Sequence, residues 1–120
     1  MRPSPTPFTD FSVHVAPSPE GGTDVAIFGE LDLATVERVE AALRQALEAE
    51  GRVVLDMRAC PFVDSRGIAA IVKAALRLQE RDREFVVGGV QERVMRIFTL
   101  AGLDSMEHVR IEPRDAGSAS

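Results

Sequence analysis

The sequence predicts a single α/β domain in which a mostly parallel central sheet, with one antiparallel edge strand, is packed against helices. Two strand patterns come first, and three amphipathic helical patterns then each precede a further strand pattern. This alternation is typical of a parallel sheet built by right-handed crossovers. With 120 residues, of which 45% are hydrophobic, the chain is long and apolar enough to bury one core.

The first two strands form a predicted hairpin. Apolar and polar residues alternate from Phe11 to Val15, which indicates a half-buried strand. The residues from Pro17 to Gly22 are rich in proline and glycine and predict a long turn. A second strand is expected from Thr23 to Gly29, antiparallel to the first.

The first helix is expected after the segment Glu30 to Thr35. Either Asp32 or Thr35 is its candidate N-cap residue, and Gly51 is placed to end it in a left-handed conformation. The residues predicted to face the core recur at helical spacing: Val36, Val39, Leu43, Ala46 and Leu47.

The stretch from Val53 to Val72 organises the rest of the chain. Its apolar, β-branched beginning predicts a strand buried on both faces, and Pro61 predicts a bend after that strand. Asp64 or Ser65 is expected to cap the second helix. The predicted buried face of this helix contains Ile68, Ile71, Val72, Ala75 and Leu76.

The remaining pattern predicts a strand from Glu84 to Gly88, a helix from Gln91 to Ala101 and a last strand from Met106 to Ile111. Gly102 is placed to end the third helix, whose expected core residues are Val94, Ile97 and Phe98. The domain is therefore expected to cover residues 9–111, between a flexible lead (1–8) and a flexible tail (112–120).

Composition narrows the possible partners. The formal net charge of −5 argues against nucleic-acid binding, which needs a basic face. Cys60 is the only cysteine, so an internal disulfide is excluded. No apolar segment approaches the roughly 20 residues that span a bilayer, and no signal-peptide pattern is present. We expect a cytoplasmic protein that binds another protein, with no nucleic-acid or membrane partner.

Ser65 has two possible roles at the start of the second helix. As a helix cap it would contribute about 1 kcal/mol to stability. As a phosphate acceptor it would place the phosphoryl group near free backbone N–H groups and the positive end of the helix dipole. The phosphoryl group would add about −1.5 to −2 charges beside Asp64, which changes the surface while the fold survives.

Asp32 and Asp64 follow neighbouring strands and are expected at one edge of the sheet, where ligand and partner sites of such sheets lie. Paired carboxylates can act as acid and base, so a hydrolytic or nucleotide-binding domain is a further hypothesis. His14 and His108 are far apart in sequence, and with one cysteine they make no metal-ligand set. We expect no enzyme activity, cofactor or metal.

Two segments resemble the STAS domain family. One is Gly29 to Thr35, with the sequence Gly-Glu-Leu-Asp-Leu-Ala-Thr, and the other is Phe62 to Gly67, with the sequence Phe-Val-Asp-Ser-Arg-Gly, which ends in the turn Asp-Ser-Arg-Gly. The segment from Val94 to Leu103 is also similar to the third helix of that family. The resemblance covers residues 9 to 111 and points to the bacterial anti-sigma factor antagonists within the family.

The resemblance implies a switch at Ser65, which matches the serine that a partner anti-sigma factor, itself a serine kinase, phosphorylates in that family. The unmodified antagonist binds the kinase and frees the sigma factor. Phosphorylation breaks the complex, and a PP2C-type phosphatase restores the unmodified form. The residues implied at the partner-binding surface are Glu30, Asp32, Thr35, Asp64, Ser65, Arg66 and Gly67.

The chain departs from the family pattern at two places. Arg66 stands where the family commonly has a small residue, and this bulky cation is expected to alter kinase choice or access to Ser65. The chain after Ile111 is too short and too rich in helix breakers for the final helix of the family. An alternative hypothesis is a constitutive STAS scaffold, such as a stressosome-like or lipid-transport subunit, in which Ser65 is only a helix cap.

Overall fold

The computed structural model describes residues 11–114 and has the predicted architecture of five strands and three helices in one α/β domain. The expected flexible lead (1–8) and the tail from residue 115 onward lie outside the described residues. The elements are β1 (Ser12–Pro17), β2 (Thr23–Phe28), α1 (Val36–Glu48), β3 (Val53–Ala59), α2 (Ser65–Glu80), β4 (Phe85–Val90), α3 (Glu92–Leu100) and β5 (Val109–Pro113).

The strands lie in the sheet in the order of the sequence, β1-β2-β3-β4-β5. Strand β1 is antiparallel to β2, with Val13 opposite Ile27, whereas β2, β3, β4 and β5 are all parallel. The predicted parallel sheet with an antiparallel edge is therefore confirmed. Since β2 and β3 are parallel neighbours, the loops that follow them leave the same edge of the sheet.

The prediction that β3 is buried on both faces is wrong. Val53, Leu55 and Met57 are buried, whereas Val54 and Asp56 between them are only half-buried. Because each right-handed crossover joins adjacent strands in the same direction along the sheet, the three helices pack on one face. The core therefore lies between that face and the helices, and β3 alternates like a strand of a sheet with a single covered face.

Helix α1 buries all five residues predicted to face the core, and its N-cap residue is one of the two predicted candidates, whereas its C-terminal end differs from the prediction. Thr35 is the N-cap residue by backbone position, although its side chain makes no capping hydrogen bond. The helix ends at Glu48 with Ala49 in an extended conformation, so Gly51 is not its stop. Gly51 instead has φ +93°, and a Cβ atom there would lie 3.0 Å from Cα of Gly22, so it allows two turns to approach closely.

Helix α2 begins at Ser65 with Asp64 as its N-cap residue, which is one of the two predicted possibilities. Its buried face is rotated from the prediction, since Leu76 is 47% exposed. Alanine side chains and Leu78 take the inner positions, where small residues let the helix lie close to its neighbours. The buried residues of α2 are Gly67, Ala70, Ile71, Ala74, Ala75 and Leu78.

The last elements agree with the prediction in type and differ in their limits. Gly102 has φ +82° after α3, as expected of a helix stop, and Leu103 behind it is buried. A short 3₁₀ turn over Leu103–Ser105 delays β5, which begins at Val109 and runs through Pro113, two residues past the predicted domain end. No helix within residues 11–114 is long and apolar enough to cross a membrane.

The guanidinium group of Arg83 closes the C-terminal end of α1. It donates hydrogen bonds to the carbonyl oxygens of Ala46 at 3.1 Å, Leu47 at 2.9 Å and Gly51 at 2.8 Å. The last carbonyl groups of a helix have no partner within the helix. Arg83 therefore ties the segment before β4 to the end of α1.

We expect the substitution Arg83→Met to lower the free energy of unfolding by about 1–2 kcal/mol, because three charge-assisted hydrogen bonds are lost while the carbonyl groups gain water. Urea denaturation followed by circular dichroism measures the change. Arg77→Met is the matched control, since Arg77 in the last turn of α2 is exposed and donates no hydrogen bond within residues 11–114. An equal loss in both variants would contradict this role of Arg83.

Candidate functional site

The loops after β2 and β3 meet at the carboxyl edge of the sheet. The N–H group of Leu31 donates to the carbonyl oxygen of Phe62 at 2.9 Å, and the N–H group of Asp64 donates to the carbonyl oxygen of Leu31 at 3.0 Å. These bonds make an isolated parallel bridge between Leu31 and Val63, whose side chains are both buried. The Gly-Glu-Leu-Asp segment and the Asp-Ser-Arg-Gly turn are therefore parts of one site.

The carboxylate of Asp64 joins both loops to helix α2. Its Oδ1 atom accepts hydrogen bonds from the N–H groups of Arg66 at 2.9 Å and Gly67 at 3.0 Å, which are two of the unpaired donors of the first helical turn. Its Oδ2 atom accepts a hydrogen bond from the N–H group of Leu33 at 3.1 Å. One side chain thus caps the helix and holds the neighbouring loop.

A second set of hydrogen bonds supports the loop before α1 from within. The hydroxyl group of Thr35 donates to the carbonyl oxygen of Glu30 at 2.8 Å and accepts from the N–H group of Asp32 at 3.0 Å. The Oδ1 atom of Asp32 accepts from the N–H group of Ala34 at 3.0 Å. Both side chains mainly serve the shape of this loop, and Asp32 is half-buried.

Gly67 lets α2 pack directly on the bridge between the loops. A Cβ atom at this position would lie 2.6 Å from Cγ of Leu31 and 2.8 Å from Cγ1 of Val63. Those distances are far below van der Waals contact, and both neighbours are buried side chains. The glycine of the Asp-Ser-Arg-Gly turn is therefore required by close packing.

Ser65 is the first residue of α2, and its side chain is exposed. Within residues 11–114 its hydroxyl group makes no hydrogen bond, so the interpretation of Ser65 as a helix cap is wrong: Asp64 fills that role. The expectation of free N–H groups for a phosphate is also wrong at Arg66 and Gly67, because Asp64 already accepts from both. A phosphoryl group on Ser65 would therefore extend from the surface beside Asp64.

The residues expected at the partner surface occupy two levels. Glu30, Ser65 and Arg66 are exposed, and Asp32 and Asp64 are half-buried. Thr35, at 8% exposed, and Gly67 are buried, so in this structure they support the surface from below and do not reach its outside. The site also contains two exposed apolar side chains that the sequence analysis did not select, Leu33 and Phe62. Apolar residues next to polar residues in both motif segments could have drawn attention to them.

The charged residues of the two motif segments are mainly acidic. The side chains of Glu30, Asp32 and Asp64 are carboxylates, and Arg66 is the cation next to Ser65 in the helix. In the described part of the chain Arg66 forms no ion pair, since the three salt bridges found there involve other residues. Arg66 is therefore available to a carboxylate on a partner.

Cys60 lies beneath the second loop, and its side chain is fully buried. Its Sγ atom lies 3.4 Å from the carbonyl oxygen of Phe62, to which the thiol donates. Burial raises the pKa of the thiol to about 11, because the thiolate would lose its hydration. No group of three or more potential metal ligands occurs among residues 11–114.

Comparison with known proteins shows what the chain is similar to. The model of the STAS domain family matches residues 14–116. An anti-sigma-B factor antagonist from Listeria monocytogenes is 31% identical over 88 residues, which are 72% of this chain and 77% of that protein.

Solved structures of low sequence identity share the fold. An anti-sigma factor antagonist from Mycobacterium paratuberculosis superposes with a TM-score of 0.73 at 23% identity, covering 83% of this chain and 85% of that one. The Bacillus cell fate determinant SpoIIAA, in its phosphorylated form, superposes with a TM-score of 0.67 at 18% identity, covering 83% of this chain and 90% of that one.

We expect Gly67→Ala to lower the free energy of unfolding by about 1–3 kcal/mol, because forcing a methyl group between Leu31 and Val63 costs more than the roughly 1 kcal/mol gained in helix propensity. Thermal denaturation measures the change. The matched control is Gly88→Ala, whose added Cβ atom would meet only Oε1 of Glu112 at an ordinary 3.6 Å. A Gly67→Ala variant as stable as the control would contradict the packing argument.

We expect the thiol of Cys60 to resist thiol reagents at pH 8 in the folded chain and to react at once in urea, because the thiolate is the reactive form and its pKa is raised to about 11. The folded chain favours the protonated thiol of Cys60, and this preference contributes to the stability of the fold. The contribution is fully present below the ordinary thiol pKa and is lost as pH rises through the raised pKa of about 11.

The positive control for that reaction is the double variant Cys60→Ala with Ser65→Cys, which moves the only thiol to the exposed position. Its reaction with an aromatic disulfide reagent at pH 8 should be fast without urea. Equal rates for the natural thiol and the moved thiol would contradict both the burial of Cys60 and the exposure of position 65.

Proposed function

The chain belongs to the STAS domain family, and from that premise we propose that it is an anti-sigma factor antagonist switched at Ser65. With Ser65 unmodified, the chain binds an anti-sigma factor that is also a serine kinase, and the sigma factor is released. Phosphorylation of Ser65 ends this binding, and a PP2C-type phosphatase restores it. The chain acts in the cytoplasm by binding and catalyses no reaction itself.

The observation that carries the proposal is the exposed hydroxyl group of Ser65 at the point where both motif loops meet α2. A kinase can modify only a hydroxyl group that its active site can reach. Because Asp64 caps the helix, Ser65 has no structural task within residues 11–114 that modification would disturb. The position is therefore suited to a change of charge that leaves the fold intact.

Electrostatics explain why a phosphoryl group would end binding. The group carries about −1.5 to −2 charges at neutral pH. Two N–H groups that could have neutralised this charge already donate to Asp64. The added charge would lie beside the carboxylate of Asp64, and like charges brought together in an interface cost several kcal/mol. The same surface would thus change from accepting a partner to repelling it.

The relatives support the same function. The Listeria monocytogenes protein is an anti-sigma-B factor antagonist by name, and its similarity covers most of both chains. SpoIIAA, which shares the fold, is known in phosphorylated and unphosphorylated forms. The alternative of a constitutive scaffold gave Ser65 only the role of a helix cap, and Asp64 fills that role instead.

We expect purified anti-sigma factor kinases from the genome that encodes this chain, incubated with it and ATP, to phosphorylate Ser65, as mapped by mass spectrometry. Calorimetric titration against the same kinases should show that Ser65→Ala binds like the unmodified chain. Ser65→Asp should bind about tenfold or more weakly, because the added carboxylate introduces charge repulsion into the interface.

Ser65→Asn is the matched control, because it has the size of aspartate without the charge. It should bind within about threefold of the unmodified chain, and the difference from Ser65→Asp should shrink in high salt, which screens exposed charges. Phosphorylation at another residue, no phosphorylation by any of the kinases, or equal binding of Ser65→Ala and Ser65→Asp would refute the switch. Equal losses in Ser65→Asn and Ser65→Asp would show a steric effect instead.

A further inference from the structure

Two large apolar side chains are exposed in the loops that flank Ser65. Leu33 is 64% exposed and Phe62 is 41% exposed. Each lies close in sequence to one partner of the bridge between Leu31 and Val63, so both belong to the same edge of the sheet. Burial of such side chains is favourable by roughly 25 cal/mol for each Å² of apolar surface removed from water, and the exposed side chains lack this stabilisation. Adjacent exposed apolar groups of this kind commonly mark interaction sites.

Both side chains project from backbone that is held in place. The N–H group of Leu33 donates to Oδ2 of Asp64 at 3.1 Å. The carbonyl oxygen of Phe62 accepts from the N–H group of Leu31 at 2.9 Å and from the thiol of Cys60 at 3.4 Å. A partner that docks on a surface already ordered loses less conformational entropy on binding.

The surroundings of Leu33 indicate what kind of partner fits. A cavity of about 290 Å³ opens beside Leu33. Arg66 and Lys73 of α2 line one side, and Glu37 and Glu40 of α1 line the other. Neither Arg66 nor Lys73 forms an ion pair within the described residues. An apolar partner side chain can enter this recess while a partner carboxylate meets Arg66.

We propose that Leu33 and Phe62 are the apolar anchors by which the chain binds its anti-sigma factor, and that Asp64 positions Leu33 for this contact. The inference rests on the proposed function, because the same partner is assumed. The partner surface is an apolar patch bordered by a carboxylate that pairs with Arg66. Leu33 and Phe62 contribute the buried centre of the interface, where a few side chains usually supply most of the affinity.

The first test is a calorimetric titration of the anti-sigma factor kinase that binds the unmodified chain. Leu33→Ala and Phe62→Ala should each weaken binding about tenfold or more, as truncation of a central interface residue usually does. Leu33→Met should restore binding to within about threefold, since it conserves apolar volume. Thermal denaturation checks that each variant is folded, which the exposure of both side chains favours.

Leu100→Ala is the matched control, because Leu100 is 87% exposed but lies at the end of α3, away from both loops. It should change affinity less than about twofold, as a truncation outside an interface does. Normal binding by Leu33→Ala or by Phe62→Ala would overturn the proposal, and so would an equal loss in Leu100→Ala. The proposed function would stand in these cases if the unmodified chain binds and phosphorylation prevents it.

The second test isolates the positioning role of Asp64. In Asp64→Asn the side-chain oxygen can still cap α2, since asparagine caps as well as aspartate. The amide nitrogen that replaces Oδ2 cannot accept a hydrogen bond from Leu33. Asp64→Asn should therefore weaken binding in the unmodified background and have little further effect in the Leu33→Ala background.

Hydrogen exchange gives a readout that needs no partner. The amide hydrogen of Leu33 should exchange faster in Asp64→Asn than in the unmodified chain. The amide hydrogen of Ala34, which donates to Asp32, should be unchanged. An equal loss of affinity in both backgrounds, or unchanged exchange at Leu33, would show that Asp64 does not position this side chain and would overturn that part of the proposal.

Discussion

The site depends on one carboxylate that accepts three backbone hydrogen bonds. Asp64 binds the first turn of α2 through Oδ1 and the loop before α1 through Oδ2. Hydrogen bonds to an ionised acceptor are about twice as strong as those between neutral groups. A serine at the same position could cap the helix with its single oxygen, but that oxygen could not also hold the neighbouring loop. Because Asp64 makes these bonds, the hydroxyl group of Ser65 has no structural role within residues 11–114.

Some side chains of the site support its surface from below, and others are exposed on that surface. Thr35 and Gly67 lie below, one bonded within its loop and the other packed on the bridge between the loops. Ser65, Leu33 and Phe62 lie above, exposed to solvent. Thr35 and Gly67 are buried and held by hydrogen bonds or close packing. A chemical change at one of the exposed side chains can therefore alter binding without disturbing the fold. Such a division fits the proposed switch, in which the protein would remain folded in two chemical states.

The order and type of the elements could be predicted because they depend on local patterns of apolar residues and on turn residues. The predicted interior of α1 is an example, since all five of its residues are buried. Details that depend on contacts distant in the sequence could not be predicted. The second role of Asp64 is one of them, because its Oδ2 atom accepts a hydrogen bond from Leu33, which lies 31 residues away.

Other differences have similar physical causes. Leu76 fits the helical period of α2 as well as Leu78 does, and only the packing of α2 against its neighbours decides which is buried. Gly51 is of the residue type that commonly ends a helix, but its positive φ allows its turn to lie close to the turn that contains Gly22. Thr35 is bonded within its own loop and Gly67 packs on Leu31 and Val63, so the motif pattern alone did not reveal which of its residues reach the surface.

The balance of energies at the start of α2 explains how a phosphoryl group can be tolerated in the free chain and excluded from a complex. In the free chain the helix dipole favours an anion at its N-terminus by about 0.3–1 kcal/mol. Repulsion from Asp64 in water is of similar size, about 1 kcal/mol at 4 Å. The attraction by the helix dipole and the repulsion from Asp64 nearly cancel, so the free energy of unfolding of the free chain changes little.

A partner that covers Leu33 and Phe62 would also remove water from Ser65, and the effective dielectric constant would fall. The repulsion would then grow severalfold. In the proposed complex, the apolar contact that would supply affinity is thus the same contact that would make the added charge effective.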